Sequence, residues 1–281
     1  MWRFVLLLTL VAPANGAAEP LRVMVSVPPL KYLVERVGGP RVQVRSMVQP
    51  GFSPATYEPM PRQVKDLARA DLYVRSGVPF ENAWMTRIRS TNPTMLVLDA
   101  REGIPAPATE GHATHDGHDP HAWTSPLLAK QMAFNVRDAL IALAPEDRAT
   151  FESGYQTLAG ELDALDEEIR EILSDLTTPR FMVYHPAWGH FADRYGLVQI
   201  AIESDGKEPG ARALANLIEQ ARQDGITVVF IQPQFDRRMA NQVAKAIGGK
   251  VEVLDPLSAD YTKNLRQVAR RLAEADGASL P

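Results

Sequence analysis

Pro145-Glu-Asp-Arg-Ala-Thr-Phe151-Glu-Ser-Gly-Tyr155-Gln-Thr-Leu158-Ala-Gly-Glu-Leu162-Asp-Ala-Leu165-Asp-Glu-Glu-Ile169-Arg-Glu-Ile172-Leu-Ser-Asp-Leu176 places apolar residues at alternating spacings of four and three, with Glu, Asp, Arg and Gln between them. That period belongs to a helix with one apolar stripe. Run from Pro145 to Leu176, it would be roughly 45–50 Å long at 1.5 Å per residue. A small lobe is narrower than that, so the helix reads as a stiff strut joining two lobes. The same period would also serve a coiled-coil dimer seam, although such seams usually carry more uninterrupted heptads.

On either side of the strut, short apolar runs alternate with helical patterns. Before it come strands at 22–27, 42–48, 71–76 and 94–99, with helices at 30–37, 62–70 and 80–89. A helix from Pro126 to Leu143 leads into the strut. After it come strands at 180–184, 197–202, 227–231 and 250–254, and helices at 187–195, 211–223, 236–247 and 258–275. Strand–helix alternation of this kind makes parallel sheets with helices on their faces. The fold class is therefore α/β, with two lobes of mostly parallel sheet joined by one long rigid helix. The division is an N-terminal lobe at 19–125, a helical segment at 126–178 and a C-terminal lobe at 179–281. No internal repeat is strong enough to name.

Residues 1–18 stand apart. Met1-Trp-Arg3 precedes the apolar run Phe4 to Ala12, and small residues follow from Ala14 to Ala18. This is the layout of a cleavable secretory signal, with an apolar stretch too short to span a bilayer, and it places the chain in the periplasm. With 45% hydrophobic and 23% charged residues and a net charge of −4, the composition is that of an ordinary globular protein. It gives no basic surface for nucleic acid. Cysteine is absent, so disulfides, thiolate ligands and a cysteine nucleophile are excluded.

Histidine is concentrated. Four of the six fall within His112-Ala-Thr-His115-Asp-Gly-His118-Asp-Pro-His121, inside a Pro-, Gly- and Thr-rich loop at 100–120. Neutral imidazole suits zinc, copper, nickel and iron, so a short His-rich tract signals metal. In open α/β sheets ligands gather beyond the carboxyl ends of strands. His185, Glu203 and Asp255 directly follow three such strands. Two imidazoles and a carboxylate from the two lobes would make a zinc site. His190 lies five residues beyond His185, off its helical face, and reads as a surface residue or an outer partner.

Five spaced motifs carry a resemblance over essentially the whole chain beyond residue 18. They are Pro50-Gly51 with Pro54-x-x-Tyr57-Glu58-Pro59; Asp119-Pro120-His121-x-Trp123-x-Ser125-Pro126; His185-Pro186-Ala-Trp188-x-x-Phe191; Glu203 with Gly206-Lys207-Glu208-Pro209; and Asp255-Pro256-Leu257. In this the sequence resembles the metal-binding receptors of ABC importers, in their zinc and manganese cluster. The resemblance implies a monomeric solute-binding protein and not an enzyme, with a metal held in the cleft between lobes and passed to a permease of the inner membrane. It implies His121, His185 and Asp255 as ligands; because metal-bound histidines usually donate their other ring N–H to an outer acceptor, Glu203 is expected to orient one of them. Manganese members carry a carboxylate at the position of His185, so zinc is expected ahead of manganese. His112, His115 and His118 match the metal-collecting loop of zinc members.

One position departs from that pattern. The family's first histidine falls where this chain has Ala55, which cannot coordinate. Water, a linker histidine or Glu58 could stand in its place. Two other functions share the same residues. One is metal sequestration or adhesion on the same scaffold. The other is a zinc hydrolase with Glu203 or Glu58 as base, since three ligands and an open position also describe catalytic zinc.

Overall fold

A computed structural model describes residues 19–105, 119–204 and 206–278. The signal segment at 1–18 and the linker histidines His112, His115 and His118 lie outside the described residues.

The first lobe runs β1 (Leu21–Val25), α1 (Pro28–Gly38), β2 (Val42–Ser46), α2 (Pro61–Leu67), β3 (Leu72–Arg75), α3 (Pro79–Thr91) and β4 (Leu96–Asp99). Its sheet has the order β2-β1-β3-β4 and every ladder is parallel. Two helices follow, α4 (Pro126–Leu143) and α5 (Arg148–Ile172). The second lobe runs β5 (Arg180–Val183), α6 (Gly189–Tyr195), β6 (Val198–Ala201), α7 (Ala211–Gln223), β7 (Val228–Ile231), α8 (Arg238–Ile247), β8 (Lys250–Val253) and α9 (Tyr261–Asp276). Its order is β6-β5-β7-β8, again all parallel. The two sheets thus share one winding, a repeat the sequence does not display.

Prolines open four of the helices. Pro28, Pro61, Pro79 and Pro126 stand in the first turn, where a backbone N–H has no helical partner to lose. For this reason α1 starts at Pro28, two residues before the expected Leu30.

The strut is shorter than its periodicity predicts. A single 3-10 turn at Pro145–Asp147 precedes α5, and beyond Ile172 the chain tightens as Ser174 N–H bonds the Glu171 carbonyl. What remains is 25 residues long. That is about 37 Å at 1.5 Å per residue. Its stripe of Phe151, Leu158, Leu162, Leu165, Ile169 and Ile172 is buried against α1 and α4 on one side and α9 on the other. The stripe is therefore used within the chain, which leaves no dimer seam on it.

One apolar cluster runs without a break from Val23, Val25 and Leu72 of the first sheet, through α4 and α5, to Phe181, Val183 and Phe230 of the second. A smaller cluster around Met182, Ile200, Val229 and Val243 fills the far face of the second sheet. Two details lock α5 in place. At Gly154 a Cβ would come within 2.4 Å of the Val37 carbonyl oxygen, so only glycine lets α5 cross the end of α1 so closely. At Asp166, only 2% exposed, the carboxylate accepts bonds from Arg194 (2.8 and 2.5 Å), Tyr195 (3.0 Å) and Arg170 (3.2 Å), tying α5 to α6.

Burial pushes the Asp166 carboxyl up, but the bonds from Arg194 and Tyr195 and the charges of Arg194 and Arg170 outweigh it and hold it below the usual carboxylate range. A carboxylate depressed in the folded state stabilises above its unfolded value, about pH 3.9, and loses that contribution as pH falls through the folded value. Asp166→Ala is expected to lower stability by about 3 kcal/mol at pH 7 in urea unfolding, because it leaves partly buried arginine unpaired. The difference from the unaltered protein should shrink on acidification below about pH 4. Gly154→Ala is expected to lower stability by about 1–3 kcal/mol in the same measurement, through overpacking.

Candidate metal centre

His121 sits in a turn that its own neighbours build. Pro120 fixes the backbone before it. The His121 N–H donates to Asp119 Oδ1 at 2.9 Å, and the His121 carbonyl accepts from Thr124 N–H at 3.0 Å and Thr124 Oγ1 at 2.9 Å. The imidazole Nδ1 lies 2.6 Å from the same Asp119 Oδ1. Trp123, 1% exposed, packs edge-on to the ring with centroids 5.3 Å apart.

His185 leaves the second sheet where strand order reverses, between β5 and β7, the switch point at which such sheets take ligands. Its carbonyl accepts from Ala187 N–H at 2.8 Å and from Gln232 Nε2 at 2.9 Å, beyond the end of β7. Nδ1 lies 2.5 Å from Glu203 Oε1, which follows β6. Phe235 covers the ring at a centroid separation of 5.3 Å.

The two imidazoles meet across the lobes with ring centroids 5.5 Å apart and planes at 78°. Two imidazoles bound through Nε2 to one tetrahedral zinc, at Zn–N of about 2.0–2.1 Å, would have centroids roughly 5 Å apart. Both Nδ1 atoms are engaged by carboxylates, leaving both Nε2 atoms available for another partner.

Asp255 follows β8 and is half-buried. Its Oδ1 accepts from Leu257 N–H at 3.0 Å, with Gln234 Nε2 at 3.4 Å, and its carbonyl accepts from Asn264 at 2.7 Å. The indole N–H of Trp123 donates to the Pro256 carbonyl at 2.7 Å, and Tyr261 OH donates to the Trp123 carbonyl at 2.5 Å. The His121 turn and the Asp255 turn are thereby joined. The assembly stops short of a complete cage: among the described residues no group of three or more His, Asp or Glu side chains is placed to hold a metal ion.

Ala55 lies exposed on the loop at 49–60, which is anchored from beneath. Phe80 N–H donates to the Pro54 carbonyl at 3.2 Å, Tyr57 OH to Gln63 Oε1 at 2.7 Å, and Gln63 Nε2 to the Met47 carbonyl at 2.6 Å. Glu58 is exposed on the same loop, in none of the described contacts with either histidine. His190 is buried, not a surface residue: it is 5% exposed, and its Nε2 lies 3.2 Å from the Asp119 carbonyl oxygen because α6 packs beneath the His121 turn.

Negative charge gathers at this mouth. Burial first, and then the carboxylates of Glu208, Glu203 and Asp236, push the Tyr184 phenol up to about 12. A field of that sign favours a cation. Asp119, Gln232 and Phe235 complete the surroundings of the two rings. Asp119 had a local signal in Asp-Pro-His; the other two had none, because the fold brings them from the loop after β7.

The family described as "Zinc-uptake complex component A periplasmic" matches residues 23–275. The chain belongs to this family. It is 31% identical over 268 residues to the zinc-binding lipoprotein AdcA of Streptococcus pneumoniae serotype 4, a match covering 89% of this chain and 53% of that protein, so the chain spans about half its length. Among solved structures, a crystal structure of ZnuA superposes with a TM-score of 0.87 at 38% identity, over 92% of this chain and 100% of that one. The laminin-binding protein Lmb of Streptococcus agalactiae, described as bifunctional with adhesin and metal-transporting activity, superposes with a TM-score of 0.81 at 25% identity, over 91% and 99%.

The Trp123–Pro256 bond is a direct polar tie between the lobes. Trp123→Phe is expected to lower stability by about 2 kcal/mol in urea unfolding, since it leaves a buried carbonyl without its donor. An unchanged midpoint would mean the tie contributes nothing.

Proposed function

We propose that the protein is a periplasmic zinc receptor: it takes Zn2+ between its lobes through His121 and His185, with Asp255 as the carboxylate ligand, and delivers it to an ABC permease of the inner membrane. The observation that carries this reading is the pair of facing imidazoles, 5.5 Å apart, each with Nδ1 on a carboxylate. That engagement leaves Nε2 of each ring as the donor toward a shared ion, with Glu203 as the outer partner of His185. The family is one of solute-binding proteins and not of enzymes, and Glu203, the candidate base of a hydrolase, is already occupied by His185. Zinc is preferred over manganese because imidazole donors in a small tetrahedral set suit the softer ion. The protein acts as a monomer, and residues 1–18 are its export signal.

Ala55 bears on affinity more than on charge. A histidine there would add a neutral donor, so its absence leaves the charge balance of Asp255, Asp119 and Glu203 against Zn2+ unaltered. The loop is anchored, and water, a linker histidine or Glu58 remain the candidates for the fourth position.

Competitive titration of the metal-free protein against a chromogenic chelator tests the reading. One zinc per chain is expected, with His121→Ala and His185→Ala each weakening it at least 100-fold and Ala55→His tightening it about tenfold, about 1.4 kcal/mol. Zinc affinity unaffected by loss of either histidine would overturn the assignment.

A further inference from the structure

Resting on that reading of His121 as a ligand, we infer that Asp119 is a positioning residue of the centre: it fixes His121 as an Nε2 donor aimed at His185. Two nitrogens of one residue converge on a single oxygen. The His121 backbone N–H reaches Asp119 Oδ1 at 2.9 Å and the ring Nδ1 reaches it at 2.6 Å. An oxygen that accepts the backbone N–H is in place to accept from Nδ1 as well, so the ring proton resides on Nδ1 and the lone pair on Nε2.

The Asp119 side chain makes its described hydrogen bonds to His121. It is 3% exposed, and its second oxygen, Oδ2, is buried without a hydrogen-bond partner among the described residues. Burying an oxygen in that state is unfavourable and would be avoided by turning the side chain toward solvent. The side chain stays because its turn is held at three points: Pro120 restricts the backbone, Thr124 holds the His121 carbonyl, and the Asp119 carbonyl meets His190 at 3.2 Å. The backbone and ring of one ligand are thus held by a single carboxylate two residues away. His185 is held differently, by Glu203 from the neighbouring strand. The first-lobe ligand carries its orienting group within its own turn, while the second-lobe ligand depends on the sheet. Each outer partner of this kind is worth roughly 10–100-fold in metal affinity.

The test combines nitrogen-15 NMR of the imidazole rings at about pH 8, where an ordinary imidazole is neutral, with zinc titration. In the metal-free unaltered protein the His121 ring is expected to show its proton on Nδ1; a proton on Nε2 would overturn the inference with no variant needed. Asp119→Ala is expected to scramble the His121 tautomer, leave the His185 resonances in place and weaken zinc roughly 10–100-fold. Asp119→Asn keeps an acceptor and is expected to retain the tautomer and recover part of the affinity, a rescue that a merely structural role would not give. If Asp119→Ala does not fold, the comparison of the unaltered protein with Asp119→Asn decides. An unchanged tautomer and unchanged affinity in Asp119→Ala would overturn the inference while the receptor reading stands. A scrambled tautomer in a protein that binds no zinc even unaltered would do the reverse.

Discussion

The apolar stripe of α5 is buried on both sides at once, and the rest of the molecule depends on it. Phe151 and Leu158 lie at the first-lobe end, Ile169 and Ile172 at the second, and the core they belong to runs from one sheet into the other without interruption. Because apolar burial is roughly proportional to area removed from water, drawing the lobes apart would expose part of the continuous core and is opposed by it. The separation between the histidine turn of the first lobe and the strand ends of the second is consequently set by packing. Gly154 lets α5 approach α1 to backbone contact, and the Asp166 clasp fixes its other end to α6.

On this frame the centre is assembled from short, self-contained turns. Asp119-Pro120-His121 orients one imidazole locally, and Trp123 carries that turn across to Pro256, one residue past Asp255. His185 is oriented by the strand end beside it. The carboxylates that hold the two rings do double service: they select the tautomer, and they supply charge that a divalent cation neutralises. In the proposed receptor, such a centre would keep its electrostatic preference for a cation with alanine at position 55.

The α/β class, the order of elements and the strut were legible because each rests on local periodicity, and α4 and α7 lie where the pattern puts them. The misreadings lie at ends. α5 stops at Ile172 because nothing in an apolar period says where backbone bonds tighten, and α1 begins at Pro28 because proline at a helix start looks, in sequence, like a break. His121, His185 and Asp255 were visible as candidates since each closes a motif next to a strand or turn. Asp119 was visible only as part of a motif, and Phe235 and Gln232 not at all.

By itself, then, the sequence determined two wound α/β halves, a helix between them, and a chemistry restricted to His, Asp and Glu by the absence of cysteine. Only the tertiary structure decided that both halves share one strand order and that the stripe of α5 is consumed within the chain. It also decided that His190 is buried under the His121 turn and that the two imidazoles face one another with their Nδ1 atoms already taken. The reason is physical. Periodicity and residue chemistry act over a few residues, whereas the distance between two rings 64 positions apart is fixed by the packing of everything between them.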